Sequence, residues 1–338
     1  MRILMVTDAW NPQVNGVVRT VATVAAELEA LGHTVLVVGP DRFRTLPCPT
    51  YPDIRLALFP ARRLDKIIAA FAPDALHIAT EGPLGVCARA FARRNGWQFT
   101  TSFHTKFAEY VKARTGLPLK ISYSLLRRFH NASAGMMVAT ESLCRDLAAR
   151  GFDHVRRWSR GVDLELFKPE PRAEFDFPRP IFAYVGRLAV EKNLEAFLAL
   201  DLPGSKIVVG DGPQRADLES RFPEAHFLGP RFGADLAAAY AGADVKVFPS
   251  RTDTFGLVVL ESLACGTPVA AFPVTGPLDI VTPEVGCLDE DLRRACLVAL
   301  TRDRTACRAY AEKFSWKACT ELFVEHLVVT HPAASKAA

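Results

Sequence analysis

The chain has 338 residues, of which 49% are hydrophobic, and a formal net charge of +4 at pH 7. This length is sufficient for two globular domains with well-packed cores. No apolar run is long enough for a transmembrane helix, the N-terminus lacks the long apolar core of a signal peptide, and the eight cysteines include no Cys-x2-Cys pair of a zinc site. Reduced thiols in a cytosolic protein are therefore expected.

The first half of the chain alternates short apolar runs with amphipathic segments. A buried strand is predicted at residues 3–6, and a helix is predicted from about Gly16 to Leu31. Further strands are predicted at residues 35–38, 75–78, 98–102 and 136–139, and further helices at residues 64–71, 83–95 and up to Arg150. Repeated β-α-β units of this kind favour a parallel, doubly wound sheet.

The same pattern restarts after Gly161. Strands separated by helical stretches are predicted at residues 181–185, 206–209, 227–228, 245–248 and 269–272. The proline-rich segment 167–171 is the predicted linker. We therefore predict an α/β protein in which two Rossmann-like domains, at residues 1–165 and 166–330, face a central cleft and are followed by a tail at residues 331–338.

Five glycine, basic or acidic residues lie after predicted strands. They are Gly16, His104, Arg187, Gly210 and Asp253. Because ligands of open parallel sheets bind at the carboxyl ends of the strands, these residues are expected to cluster at one cleft. The Gly210 segment does not match the dinucleotide fingerprint, since Arg215 replaces its last glycine. An NAD-dependent oxidoreductase is therefore disfavoured.

Two carboxylates, those of Asp253 and Glu261, bracket the start of a predicted helix that ends at Gly266. Thr252, Asp253 and Thr254 are all residue types that cap helix N-termini. Eight residues of helix rise about 12 Å. The two carboxylates are therefore not expected to share a metal ion, or to form the pair of a retaining glycosidase, which requires roughly 5 Å.

The residues between these carboxylates are expected to bind an anion. Their backbone N–H groups lie at a helix N-terminus, where anions are favoured; the residues are Thr254, Phe255, Gly256 and Leu257. The Asp253 carboxylate, the anion site and the Glu261 carboxylate thus follow one another along the chain. As a hydrogen-bond acceptor, an anion site and a second hydrogen-bond acceptor, they fit the sugar, the diphosphate and the ribose of one elongated ligand.

The Asp253-x7-Glu261 pattern resembles the Glu-x7-Glu element of the retaining GT-B glycosyltransferases of family 4. Further segments resemble the same family in the same order, from Asp8 onward: residues 8–20, 101–107, 160–163, 186–193 and 210–213. The chain departs from the family at Asp253, where glutamate is commoner, and its side chain is shorter by one methylene.

This resemblance implies the GT-B fold and transfer of a hexose or hexuronic acid, with retention, from a UDP- or GDP-linked donor. It implies no metal or other cofactor, and a last helix, at about residues 314–329, that returns to the first domain.

The resemblance also implies roles for single residues. Arg187 and Lys192 match a basic pair that holds the donor diphosphate, whose charge grows as the bond to the sugar breaks. Glu261 is expected to accept hydrogen bonds from the ribose hydroxyls, and Asp253 to orient the transferred sugar, with or without a helix-capping role.

Four further positions are expected near the substrates. His104 matches a family histidine near the reacting sugar, although a purely structural role stays open. Gly16 allows close approach of a phosphate or sugar, or serves as a simple turn residue. Gly210 is expected in a tight turn beside the nucleotide, and Glu81 is a candidate contact of the acceptor or the donor sugar.

The segment from Tyr110 to His130 interleaves basic residues with apolar and aromatic residues at helical spacing. Residues 1–160 carry a net charge of +10, whereas the remainder carries −6. This segment is therefore predicted to contact an anionic membrane surface. A core-packed helix with a solvated basic edge is the alternative, and no nucleic-acid partner is expected, since no such module is recognised.

The combined hypothesis is a bacterial glycosyltransferase that modifies a lipid acceptor, diacylglycerol or a glycolipid. The enzyme is expected to be cytoplasmic and peripheral on the inner membrane face. One alternative is a GT-B glycosyltransferase for a soluble or polysaccharide acceptor. Another is a non-catalytic nucleotide-sugar-binding protein that retains the fold.

Overall fold

In the computed structural model, which describes residues 1–13, 15–48 and 51–330, the chain folds into two compact units. The first unit comprises Met1–Arg160 and the described chain from Trp316 onward, and the second comprises Gly161–Ser315. The boundary between the two units thus lies five residues before the predicted one. The proline-rich segment 167–171 belongs to the second unit. The predicted tail lies outside the described residues.

The first unit is built on a six-stranded sheet. The strands among its described residues are β1 (Arg2–Val6), β2 (Thr34–Val38), β3 (Thr45–Cys48), β4 (Tyr51–Ala57), β5 (Ala75–Ile78), β6 (Thr100–Phe103), β7 (Gly135–Val138) and β8 (Val155–Arg157). Six of them form a parallel sheet in the order β2-β1-β5-β6-β7-β8, while β3 and β4 form a separate antiparallel pair. Leu4 of β1 lies between Leu36 and Leu76, which explains the uninterrupted apolar run of this central strand.

Helices of the first unit alternate with these strands. They are α1 (Gly16–Ala30), α2 (Ala61–Phe71), α3 (Pro83–Arg94), α4 (Phe107–Thr115), α5 (Leu119–His130) and α6 (Glu141–Ala149). Asn15 begins α1, since its side chain accepts hydrogen bonds from the backbone N–H groups of Val17 and Val18. Thr140 caps α6 in the same way.

The second unit repeats this architecture. Its strands are β9 (Ile181–Val185), β10 (Ser205–Val209), β11 (His226–Gly229), β12 (Val245–Phe248), β13 (Val269–Ala271) and β14 (Gly286–Leu288). They form a parallel sheet in the order β11-β10-β9-β12-β13-β14. Its helices are α7 (Leu194–Leu198), α8 (Arg215–Arg221), α9 (Gly233–Gly242), α10 (Leu257–Ala264), α11 (Pro277–Ile280), α12 (Leu292–Ala299) and α13 (Arg304–Ala311).

The last helix of the described chain, α14 (Trp316–His326), belongs to the first unit. It packs against α1, and the backbone oxygen of its Cys319 accepts a hydrogen bond of 3.0 Å from the indole of Trp158. The helix begins two residues later and ends three residues earlier than the predicted range of 314–329. No helix of the described residues combines the length and the apolar character needed to cross a membrane.

The expected alternation of parallel strands and helices is confirmed in both units. Two elements of the large sheets, β8 and β14, were not predicted; each has only three residues, and β8 carries two arginines. The β3–β4 pair was also missed. Its strands contain polar residues and prolines and lie outside the large sheet, so they lack the buried apolar run of the other strands.

Each large sheet has one point where the strand order reverses, between β1 and β5 in the first unit and between β9 and β12 in the second. Ligands of doubly wound sheets bind beside the carboxyl ends of the strands at such points. In the first unit Asp8 occupies this position and accepts hydrogen bonds from the backbone of Leu84 (2.8 Å) and Gly85 (3.3 Å). The protein's own carboxylate therefore fills the N-terminus of α3 there.

Candidate functional site

The strand-reversal point of the second unit is held together by close contacts between loops. The backbone N–H of Gly210, after β10, donates to Gly229 of β11, and that of Gly186, after β9, donates to Val209. A Cβ at Gly210 would lie 1.9 Å from the oxygen of Gly186. Only glycine permits this approach, and it places the residues after β9 beside those after β10.

An ion pair joins the two loops at this point. Lys192 follows β9 in the short 3-10 turn Val190–Lys192, and Asp253 follows β12. The Lys192 Nζ donates to both carboxylate oxygens of Asp253 at 2.8 Å. Burial alone would raise the pKa of Asp253, but the Lys192 charge, hydrogen bonds from Lys192 and Ser250, and the nearby Lys246 bring it below its ordinary value. Asp253 is therefore ionised and its orientation is fixed.

The start of α10 corrects the capping prediction. Thr252, Asp253 and Thr254 lie before the helix, which begins at Leu257 and carries no side-chain cap. Gly256 occupies the capping position with φ of 90°, a left-handed conformation that other residues adopt only under strain. Asp253 pairs with Lys192 because the helix starts too late for its carboxylate to cap it.

The four residues predicted to offer backbone N–H groups are accordingly not all helical. Thr254 and Phe255 belong to the bend before α10, Gly256 is the capping residue, and Leu257 is the first residue of the helix. The helix follows the carboxyl end of β12 as predicted, but it begins later, so that of these four residues only Leu257 is helical.

Glu261 lies one turn into α10 and is only 4% exposed. Its Oε2 accepts a hydrogen bond of 3.0 Å from the hydroxyl of Tyr240 on α9. Glu261 is therefore not an exposed helix glutamate, and its carboxylate is held in one orientation. Tyr240 was missed because nothing in the apolar α9 sequence distinguishes it from a core aromatic residue.

Lys246 is a second residue that the sequence analysis did not single out. It lies in β12, is fully buried, and donates to the backbone oxygens of Val185 (3.2 Å) and Val247 (3.0 Å). Burial lowers its pKa from 10.5 to about 7, against the attraction of Glu261 and Asp253. The sequence contained one indication of this residue, since a lysine interrupts the otherwise apolar run 245–248.

Replacing Lys246 with methionine is expected to remove the pH dependence that this buried lysine gives to the free energy of unfolding. Between pH 7 and 10.5 the folded chain holds Lys246 neutral whereas the unfolded chain holds it protonated. The free energy of unfolding should therefore rise with pH across this window in the wild type, and less in Lys246→Met. Urea unfolding of both proteins across this range measures how the free energy of unfolding depends on pH. An equal pH dependence of the two proteins would contradict the prediction.

Arg187 and Gly210 also lie at the carboxyl edge of this sheet. The backbone oxygen of Arg187 accepts a hydrogen bond of 2.7 Å from the hydroxyl of Tyr184, and its side chain is half-buried. The second unit thus brings Arg187, Lys192, Gly210 and Asp253 to the ends of three adjacent strands, with Glu261 one helical turn behind.

In the first unit His104 directly follows β6 and contacts Arg160, which follows β8. The guanidinium Nη2 of Arg160 lies 3.2 Å from His104 Nδ1. Burial, followed by the positive charge of Arg160 and the neighbouring His77 and His130, lowers the pKa of His104 well below its ordinary value. His104 is therefore neutral at pH 7.

Glu81 and Gly16 complete the predicted positions in this unit. Glu81 follows β5, and its Oε1 lies 3.0 Å from Nε2 of the buried His130, whose Nδ1 is bonded to Thr101. Gly16 is exposed and is the first residue of α1, directly after the capping Asn15.

Comparison with known proteins gives matches in both units. The model of "Glycosyltransferase Family 4" matches residues 14–166, and that of "Glycosyl transferases group 1" matches residues 179–303. A GDP-mannose-dependent alpha-mannosyltransferase of Mycobacterium tuberculosis is 33% identical over 310 residues, which cover 84% of this chain and 82% of the relative.

Two further matches concern a lipid-modifying relative and the fold. An alpha-monoglucosyldiacylglycerol synthase of Streptococcus pneumoniae is 28% identical over 80% of this chain and 71% of its own. A solved structure, sucrose-phosphate synthase of Thermosynechococcus elongatus, superposes with a TM-score of 0.74 at 20% identity, covering 96% of this chain and 97% of its own. The chain therefore belongs to glycosyltransferase family 4 and is a retaining, nucleotide-sugar-dependent hexosyltransferase with the GT-B fold.

Proposed function

We propose that this enzyme transfers a hexose or hexuronic acid from a UDP- or GDP-sugar to a hydroxyl of diacylglycerol or a glycolipid at the inner membrane surface. The main support for binding of the nucleotide-sugar donor is the Lys192–Asp253 pair at the strand-reversal point of the second unit. The lipid acceptor is supported by the diacylglycerol-modifying relative.

The donor diphosphate is assigned to Lys192 and Arg187. When the bond between the sugar C1 and the phosphate oxygen breaks, the leaving nucleoside diphosphate gains negative charge. Fixed cations stabilise this charge without reorganising, because Asp253 already holds the Lys192 ammonium in place. Arg187 adds a planar, doubly donating group from the same loop.

The remaining donor contacts follow from the same edge of the sheet. Asp253 is assigned to the transferred sugar, and its carboxylate lies 2.8 Å from the Lys192 ammonium. Glu261 is assigned to the ribose hydroxyls. The start of α10, with Gly256 and Leu257, provides backbone N–H groups for the diphosphate, and Gly210 lines the nucleotide side.

The reaction replaces the C1–phosphate bond by a bond from C1 to the acceptor oxygen on the same face of the sugar. The acceptor hydroxyl proton passes to the departing phosphate, so the charges balance without a further base. In the first unit, His104 is assigned to a hydrogen bond with the reacting sugar, while Glu81 and Gly16 are assigned to the substrates at the ends of β5 and at the start of α1.

The membrane contact is assigned to the exposed face of α5 within the segment from Tyr110 to His130; the side chains of Tyr110 and Arg114 lie outside the described residues. Ile121 and Leu125 are 49% and 64% exposed and stand four residues apart, so they share a face of the helix. The buried side of the helix packs into the core through Tyr123, Leu126 and Phe129.

Basic residues accompany these exposed apolar side chains. Lys120 and Arg128 are both exposed on α5. Lys120 directly precedes Ile121, and Arg128 lies about one helical turn after Leu125. Each basic residue near an anionic bilayer contributes about 1 kcal/mol. The hydroxyl of Tyr123 donates to Glu109 of α4 at 2.7 Å, which fixes α5 against its neighbour. The helix therefore combines a packed face with an apolar and basic one.

The double variant Ile121→Ser/Leu125→Ser is expected to bind anionic vesicles at least about tenfold more weakly, since each side chain contributes about 1.5 kcal/mol or more on burial. Cosedimentation with phosphatidylglycerol vesicles at low salt measures this. The matched control is Phe232→Ser/Leu278→Ser, which removes two similarly exposed apolar side chains from the second unit. Equal loss in both doubles, or wild-type binding by the α5 variant, contradicts this surface.

The function is tested by incubating the protein with a panel of UDP- and GDP-sugars and membrane lipid extract, followed by mass spectrometry of the products. A hexosylated lipid is expected. Transfer only to water-soluble saccharides would instead favour the soluble-acceptor alternative. If the protein binds nucleotide sugars but releases free nucleotide from none of them, the non-catalytic alternative would be favoured.

A further inference from the structure

We infer that Arg160 is a positioning residue that holds His104 in a single tautomer, with the proton on Nε2. Arg160 belongs to the segment 160–163 that resembles the family, but neither its sequence context nor the donor site gives it a role. This inference rests on the proposed function only where it concerns turnover, because the tautomer itself is a property of the free enzyme.

The contact between the two side chains permits one arrangement of protons. A guanidinium donates hydrogen bonds and accepts none. The Nη2 of Arg160 lies 3.2 Å from Nδ1 of His104, so Nδ1 must offer its lone pair. Neutral imidazole carries one proton, which then resides on Nε2. His104 thereby becomes a hydrogen-bond donor toward any group that approaches Nε2.

Arg160 is itself held firmly. It is 3% exposed, and its Nη1 donates to the backbone oxygens of Trp158 (2.6 Å) and Ser159 (2.9 Å). Its guanidinium carbon lies 4.0 Å from the centroid of the Trp158 ring. Burial lowers the pKa of Arg160 only to about 10, so it remains charged at neutral pH.

The Trp158 ring is fixed in turn by α14. Its indole N–H donates to Cys319, and the ring packs against Phe323 at 5.0 Å between centroids. The same ring forms a T-shaped contact with the His104 imidazole, with 5.9 Å between the ring centroids. Helix α14 therefore supports Trp158, which supports Arg160, which orients His104.

Three charged or titratable groups near His104 favour the neutral ring. They are Arg160 after β8, His77 on β5 and His130 on α5. His77 is itself kept neutral, with its pKa lowered to about 3 by burial and by Arg160, and its two ring nitrogens bond Thr100 and Ser102. A protonated His104 would place two positive charges within 3.2 Å of each other in a buried site.

The test compares the wild type with Arg160→Met, which keeps the apolar stem over Trp158 but removes every donor. Two-bond proton–nitrogen NMR spectra of the ¹⁵N-histidine-labelled protein report the tautomer, and the His104 signals are assigned by their loss in His104→Gln. The wild type should show the Nε2–H form throughout about pH 5.5–8.5. Arg160→Met should show both tautomers in that range, with the ring still neutral, because burial, the largest cause of the low His104 pKa, remains.

Turnover provides the second readout. Arg160→Met should lower kcat by about ten- to a hundredfold, the worth of one hydrogen bond in the transition state, with little change in the KM of the donor. Arg160→Gln, which retains an N–H donor, should recover part of kcat and the Nε2–H tautomer. It also serves as the second variant if Arg160→Met fails to fold.

The outcomes distinguish the positioning role of Arg160 from the proposed role of His104 in sugar transfer. An Nδ1–H tautomer in the wild type, or an unchanged tautomer in Arg160→Met with lower thermal stability, overturns the positioning role and leaves Arg160 as a packing residue. Wild-type turnover in His104→Gln instead overturns the proposed role of His104 in transfer, while the spectra still decide what Arg160 does.

Discussion

Replacing Lys192 with alanine is expected to lower kcat by about 10²–10³-fold, the usual effect of removing one fixed group that stabilises charge in a transition state. The ammonium lies at the carboxyl end of β9 and is held by both oxygens of Asp253 at 2.8 Å. Its position is therefore set before the donor binds. Initial rates at saturating donor, with single-turnover measurements, report the loss in the chemical step.

Part of the effect of Lys192→Ala falls on stability. Asp253 would remain as a largely buried carboxylate without its main partner, which costs about 1–3 kcal/mol. The ordinary folded state should persist, because Lys192 lies in a surface turn and contributes little to the core. Circular dichroism and the unfolding midpoint separate a folded, inactive variant from an unfolded one.

The same two strands supply a matched control. Arg179 precedes β9 and Asp244 precedes β12, and they form an ion pair of 2.8 Å at the amino ends of these strands. Arg179→Ala removes a cation from a carboxylate of the same sheet at the opposite edge, so kcat should stay near the wild-type value. Equal losses in both variants, or wild-type kcat in Lys192→Ala, would remove the diphosphate role.

The fold follows from the sequence because its central strands are buried on both faces. The buried residues of strands such as β1 and β9 must then be apolar, and the alternation of these strands with helices identifies a parallel sheet. The carboxyl-end residues could be located for the same reason: once β9 and β12 are recognised, Arg187, Lys192 and Asp253 must lie at one edge.

Contacts between side chains distant in sequence could not be predicted in this way. Asp253 was compatible with helix capping, and only the late start of α10 at Leu257 assigns it to Lys192. Arg160 and His104 are 56 residues apart and meet because β6 and β8 flank β7. Lys246 is buried within the electrostatic influence of Glu261 and Asp253, which belong to other elements, and the sequence of its strand does not encode this proximity.

Replacing Glu261 with glutamine is expected to weaken nucleotide binding by about ten- to a hundredfold, while kcat at saturating donor changes less. Hydrogen bonds to a charged group contribute about 1.5–3 kcal/mol, and 1.4 kcal/mol corresponds to tenfold in affinity. Glutamine preserves the volume of a side chain that is 4% exposed, whereas alanine would add the effect of a cavity. Isothermal titration with UDP and GDP measures the loss and shows which base is preferred.

Tyr240→Phe distinguishes ribose binding by Glu261 from a purely structural role. It removes the hydroxyl that donates to Glu261 Oε2 at 3.0 Å but leaves the carboxylate charge and the ring in place. If the carboxylate binds the ribose hydroxyls, Tyr240→Phe should change nucleotide affinity much less than Glu261→Gln. If Glu261 only anchors α10 to α9, both variants should lower the unfolding midpoint together and leave nucleotide affinity unchanged. The ribose assignment fails on that second result, because a carboxylate that accepts from the ligand must lose affinity when its charge is removed.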